Sequence, residues 1–393
     1  MPNRARDHAL DGLRGVAALV VVVHHSLLVT QLFSGPTAGE RADPSIAWFV
    51  YSPLHIVWAG GEAVFLFFIL SGLVLTLPAL RGTRFDWASY YPSRLIRIYL
   101  PIWAAVALAA VIVAVFPRSA SPGDSTWVQA HSETVTLTRL IEDLTVVTGT
   151  SGINSALWSL QWEIIFSLLL PVYIWIGVRF SRFWYVVVGG SVALIMLGIA
   201  TQIHALQFLP MFMIGVVIAA RLPQIRAFGE RVNILPKSGL IWAVLAIAAW
   251  LATTSHWTVS AVSGRGIFRL VMVLVVLGAA GCVILAIIWP AGRQALEKGP
   301  MQFLGKVSFS LYLTHEPIVL ATAQLLPGDW KGLTILIALP MALLVSWFFY
   351  RLIEAPSHRL AQTVRRRVSG TTVRQTRTDV PDTVEIPRLA DRK

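Results

Sequence analysis

Ten apolar stretches recur along this chain, each close to the roughly 20 residues a helix needs to cross about 30 Å of hydrocarbon. They run from Leu10 to Phe33, Val57 to Leu80, Ile98 to Phe116, Leu157 to Val178, Trp184 to Ala200, Ala205 to Ala220, Leu240 to Thr254, Ile267 to Trp289, Phe303 to Leu326 and Leu333 to Ile353. Backbone in lipid must satisfy its own hydrogen bonds, so the pattern predicts an all-α polytopic membrane protein with about ten transmembrane helices. Composition points the same way, with 56% of the 393 residues hydrophobic and 13% charged, too apolar for a soluble globule. Residues 1–356 form the membrane-embedded domain in this reading, and 357–393 a polar, basic, disordered tail.

Basic residues set the orientation. With alternating spans and a cytoplasmic N-terminus, only Arg41, Arg118, Arg139, Arg265, Arg269 and Lys331, six of the 32 Lys and Arg, fall outside. Both termini are therefore expected in the cytoplasm, as in a bacterial plasma-membrane protein. The same sorting explains the net charge of +12 without a nucleic-acid partner. Arg365, Arg366 and Arg367 add attraction to anionic membrane lipid. Asp11 and Arg14 interrupt the first stretch and no small-residue cleavage site follows it, so it reads as retained. A single cysteine, Cys282, excludes an intramolecular disulfide and a multi-cysteine metal site. Two long outer loops, Ser34 to Ile56 and Pro117 to Ala156, are either covers for an outward pocket or plain connectors, and Thr138 to Val147 has the spacing of a short surface helix.

Charged groups inside these stretches carry the chemistry. Arg14 and His25 are eleven residues apart, three helical turns plus about 20°, so they share one face about 16 Å apart, while His24 points elsewhere. Such residues in a membrane are costly and line cavities or pair with each other. Glu163, about 9 Å along the fourth stretch, is expected to reach the depth of His25 and orient its imidazole as a general base. A structural His–Glu bond and a proton relay are the alternatives. Arg94 and Arg97 lie three apart at a helix entrance, where two guanidinium forks suit a phosphate or pyrophosphate, although orientation alone also places arginines there. His315 sits midway along the ninth stretch, two residues before Pro317, which is expected to free backbone carbonyls beside a cavity.

In order, Leu10-Asp11-Gly12-Leu13-Arg14-Gly15 with His25, Gly60-Gly61, Leu66-Phe67-Phe68-Ile69-Leu70-Ser71-Gly72, Arg94-x-x-Arg97 with Pro101, Trp158-Ser159-Leu160-x-x-Glu163, Ser308-x-Ser310-Leu311-Tyr312-Leu313-x-His315-x-Pro317 and Glu354-x-Pro356 make a specific set. Over about residues 8 to 358 the chain resembles the integral membrane acyltransferases of acyltransferase family 3, which acylate hydroxyl groups of cell-surface glycans and secreted metabolites. The resemblance implies an acyl-CoA donor, commonly acetyl-CoA, as a substrate rather than a resident cofactor, with its phosphates near Arg94 and Arg97. It implies a glycan or small-molecule hydroxyl acceptor, His25 as catalytic residue and Arg14 as its companion. His315, Ser71 and Trp158 are expected to contact substrate. Phe65 stands where many members carry an acid, which removes a carboxylate there. Direct transfer is the expected mechanism: His25, charged by Glu163, deprotonates the acceptor, and Arg14 or a backbone amide stabilises the oxyanion. An acyl-imidazole on His25 is the less economical route. The rival class is a secondary transporter with Arg14, His25 and Glu163 as a relay, which predicts inverted repeats that the sequence does not display.

Overall fold

The computed structural model describes residues 7–81, 85–119, 121, 123–131, 134–260 and 268–378. Among them every regular element is helical. A helix answers each of the ten apolar stretches: α1 (His8–Leu28), α2 (Gly60–Thr76), α3 (Trp87–Val115), α4 (Trp158–Arg179), α5 (Trp184–Thr201), α6 (His204–Ala220), α7 (Ser238–Ser260), α8 (Phe268–Ile288), α9 (Gly299–Leu325) and α10 (Thr334–Phe349). An eleventh, α11 (Ala355–Thr378), follows.

Length and apolarity give fewer spans than ten. Seven helices among the described residues are long and apolar enough to cross a membrane, or eight if α6 and the helix Leu222–Asn233, bent 66° apart, form one. Two of the expected spans fall short for physical reasons. Residues Pro53–Trp58 form a 3₁₀ turn, so α2 starts only at Gly60 and has 17 residues. α9 carries Ser308, Ser310, Thr314, His315 and Glu316, each at most 1% exposed, so its polar groups meet protein rather than lipid.

α1 lies along α9 and also touches α2, α8 and α10, which puts these two helices at the centre. Glycines set that approach: a methyl group on Gly15 would strike the backbone of Leu304 and Gly305, and one on Gly305 the backbone of Asp11. Gly72 and Gly215 bring α2 and α6 together in the same way. Ile69, Leu73, Phe212, Val275 and Ala279 form the apolar core between α2, α6 and α8.

Two departures from the sequence reading bear on the site. The Asp86 carboxylate accepts from the Ser89 backbone N–H and caps α3, which starts at Trp87, eleven residues before the expected Ile98. Arg94 and Arg97 are thus inside a helix, not at its entrance. The tail expected to be disordered from residue 357 is instead helical as α11 and packs against α3; residues 379–393 of that tail lie outside the described residues.

Candidate functional site

The shared face of Arg14 and His25 is present, and it is turned toward α9. Arg14 Nε donates to Ser308 Oγ at 2.9 Å and its Nη2 to the Gly305 carbonyl at 3.3 Å. His25 Nδ1 lies 2.7 Å from His315 Nε2. His24 turns away to the Trp58 carbonyl, 2.8 Å from its Nδ1, with its ring against Gly60.

Hydrogen-bond partners determine where the protons sit. His315 Nδ1 is 3.0 Å from the Leu311 carbonyl and 2.8 Å from that of Tyr312, and carbonyls only accept, so Nδ1 carries the proton. Neutral His315 then presents Nε2 as an acceptor. His25 Nδ1 donates to it, and His25 Nε2 keeps its lone pair. A neighbouring carboxylate commonly fixes a histidine in this way; here a second imidazole does. The Trp127 ring stacks on His25 at 5.2 Å and 15°.

The expected pairing of Glu163 with His25 does not form. Glu163 Oε1 accepts from Arg94 Nη2 at 2.5 Å and Ser71 Oγ at 3.4 Å. The reason is where α4 begins. Ile153 and Asn154 are fully buried, and Ser155 donates through its N–H and Oγ to Glu316 at 2.5 and 2.8 Å. The turn Ser155–Leu157 that leads into α4 is therefore held at the level of Glu316 rather than at the surface, and Glu163, eight residues past Ser155, sits about 12 Å deeper.

Arg94 and Arg97 do not act as one clamp. Arg94 is held by Glu163 and, through Nε, by Ser167 Oγ at 3.2 Å. Arg97 lines two cavities. The larger, of about 1060 Å³, lies at the end of the bundle holding Asp7 and Arg14 and is lined by seven Arg and Lys side chains against three carboxylates. The smaller, of about 120 Å³, shares Arg14, Arg97, Glu354 and His358 with it and continues past Ser71, Arg94, Glu163, Ser159 and Tyr312. Tyr312 leads on to His315, ring to ring at 5.9 Å. Arg14 thus belongs to the basic cavity, about 16 Å along α1 from His25. It is too far to stabilise an oxyanion beside that histidine.

The three residues expected to contact substrate separate. Ser71 lines the smaller cavity. Trp158 packs against Phe68 and Phe208 and lines neither cavity described. His315 is fully buried and reaches His25 instead of open space.

Sequence reasoning missed the other side of His25. Trp127 of the second outer loop covers it, and that segment is held in place: Trp127 N–H donates to Ser34 Oγ, Thr126 N–H to Gln31 Oε1, and Lys331 pairs with Asp124. The short surface helix is present as Leu137–Thr145. His131 Nδ1 faces the Trp127 carbonyl at 2.7 Å and so carries a proton, while its Nε2 lies 3.2 Å from Glu316 Oε1 and 3.3 Å from Ser155 Oγ. In the same loop, burial lowers the Arg118 guanidinium from its usual range, and burial raises the Asp143 carboxyl. Glu316 stands next to His315 in sequence, and that adjacency was the available signal; nothing marked His131.

Pro317 frees a backbone carbonyl as expected, but against packed protein rather than beside either cavity. It lacks the N–H that would bond the Leu313 carbonyl four residues back, and Asn154 Nδ2 donates to that carbonyl at 2.8 Å.

Comparison with known proteins agrees with this arrangement. The chain is 25% identical over 425 residues to acyltransferase MdmB of Streptomyces mycarofaciens, an alignment covering 99% of each chain. No solved structure matches it. Residues 7–351, which hold His25, His315 and nearly all of the cavity lining, match the acyltransferase domain of acyltransferase family 3, and the protein is a multi-pass membrane acyltransferase belonging to that family.

Proposed function

We propose that the protein moves an acyl group, acetyl in the simplest case, from cytoplasmic acyl-CoA to a hydroxyl of a glycan or secreted metabolite at the outer side of a bacterial plasma membrane. Both termini are cytoplasmic in this reading. The observation that carries it is the bond from His25 to His315, which leaves the Nε2 lone pair of His25 as a general base, while the smaller cavity reaches Tyr312, whose ring is 5.9 Å from that of His315. The large cavity takes the nucleotide of the donor, with Arg97 and Arg14 toward its phosphates. The pantetheine arm runs along the smaller cavity past Ser71 and Tyr312.

At the far end, His25 Nε2 takes the proton of the acceptor hydroxyl as its oxygen attacks the thioester carbonyl, then returns it to the departing thiolate, so no net proton is consumed. His315 is a positioning residue that holds the reactive tautomer. Glu163 holds Arg94 in the wall of the smaller cavity and has no part in the proton transfer.

The test is mass spectrometry of surface glycans and secreted metabolites from cells with the protein, without it, and with His25→Ala. An added acyl mass present only with the wild type supports the reading. An unchanged profile in the His25→Ala cells would refute it.

A further inference from the structure

The basic tail contributes to the donor cavity as a wall. A π-helical turn, Tyr350–Glu354, joins α10 to α11, where the Glu354 carboxylate accepts from Ser310 N–H and Oγ at 3.2 and 2.6 Å. From there α11 runs back along α3. Ser357 and Ala361 are buried at its near end, and Ser369 Oγ meets the Asp86 cap of α3 at 2.5 Å.

His358, Gln362 and Arg365 line the large cavity. Their spacing of four and seven residues puts them on one helical face, within about 40° of His358. Arg359 is about 100° away from His358 and does not line the cavity. Register, rather than bulk charge, thus selects Arg365 from the basic residues of the tail.

The ligand follows from the charge. Seven Arg and Lys side chains meet three carboxylates in this cavity, so an anion of several charges is needed to balance it. A phosphomonoester carries about −1.5 to −2 at neutral pH, and a pyrophosphate diester adds to that. A donor with both groups at its nucleotide end matches the excess. The thioester end carries neither and belongs in the smaller cavity.

We infer that α11 is part of the donor-binding site and that Arg365, on the cavity face with Gln362 and His358, contacts the phosphorylated nucleotide end of the acyl-CoA. This rests on the donor reading proposed above. It goes beyond that reading by assigning recognition to a helix C-terminal to the family-matched residues.

The experiment uses the full chain in phosphatidylcholine nanodiscs, where no anionic lipid competes, with CoA and acetyl-pantetheine as probes. Arg365→Ala should weaken CoA binding about tenfold and Arg365→Glu on the order of a hundredfold, as for the loss and reversal of a charge-assisted contact. Acetyl-pantetheine, which has no nucleotide, should bind all variants alike. Arg359→Ala should match wild type with both probes. Equal CoA affinity in Arg365→Ala and wild type would overturn this inference and leave the donor reading standing. Equal weakening toward CoA and acetyl-pantetheine would show that Arg365 supports the fold alone. Failure of the wild type to bind CoA at all would overturn both.

Discussion

His315 gives the sharpest test of the site, because it acts on the reaction only through His25. His315→Phe removes the acceptor 2.7 Å from His25 Nδ1 and leaves a buried N–H without a partner. Such an orphaned donor costs about 1–3 kcal/mol. If that cost falls on the reactive orientation of His25, the rate drops roughly 5- to 150-fold at about 1.4 kcal/mol per decade. His315→Gln returns an amide oxygen close to the position of Nε2 and should stay within about fivefold of wild type. Both variants lose the proton that His315 gives the Leu311 and Tyr312 carbonyls, so that loss cancels in the comparison. His25→Ala sets the floor at about 10²- to 10⁴-fold. The assay is single-turnover transfer of labelled acetyl from acetyl-CoA in membranes supplied with host extract as acceptor, alongside CoA affinity, which should not change. Phe and Gln variants impaired to the same degree, or a Phe variant at wild-type rate, would refute the tautomer argument.

Removing Glu163 should lower stability before it lowers the chemical step. A double-mutant cycle with Glu163→Gln and Arg94→Ala, read by thermal unfolding, should give a coupling of about 1–3 kcal/mol, less than the 3–5 of a fully buried pair because Glu163 keeps 24% side-chain exposure; zero coupling would remove the pair from the structural account. Arg97→Ala should weaken CoA binding by about 1–3 kcal/mol, whereas Arg94→Ala should leave it near wild type, and isothermal titration separates the two. Gly215→Val should destabilise the protein by about 1–3 kcal/mol, since the added carbons meet the backbone of Ile69 and Leu73, and a melting temperature equal to wild type would disprove the close packing of α2 and α6.

What the sequence disclosed depended on the range of the interaction. Arg14 and His25 are joined by one helix, so their common face followed from its period alone, and both indeed meet α9. The effect of Pro317 was also local. Glu163 was misjudged because its depth depends on where α4 begins, and that is set by Ser155 bonding to Glu316, 161 residues away in sequence. Arg94 and Arg97 read alike as neighbours on one face, yet a partner on α4 takes the first and only the second reaches the large cavity. α11 was hidden by its composition: a polar, arginine-rich segment looks solvated until α3 offers it a wall.

The bond from Asn154 to the Leu313 carbonyl joins an outer loop to a central helix at a point where a proline has left the helix an open acceptor. It divides the loop into two parts with different freedom to vary. Residues near 153–157 are bound to Leu313 and Glu316 and must hold their register, whereas the segment carrying Trp127 reaches His25 from the far side of the loop, tied to Gln31, Ser34, Leu28 and Lys331 and, through His131, to Glu316. Changes of length and composition between these parts can reshape the cover over His25 without moving α4 or α9. A lineage could in this way exchange the molecule it modifies while inheriting the His25–His315 pair and the large basic cavity unchanged, with the missing amide of Pro317 as the fixed point about which the rest diverges.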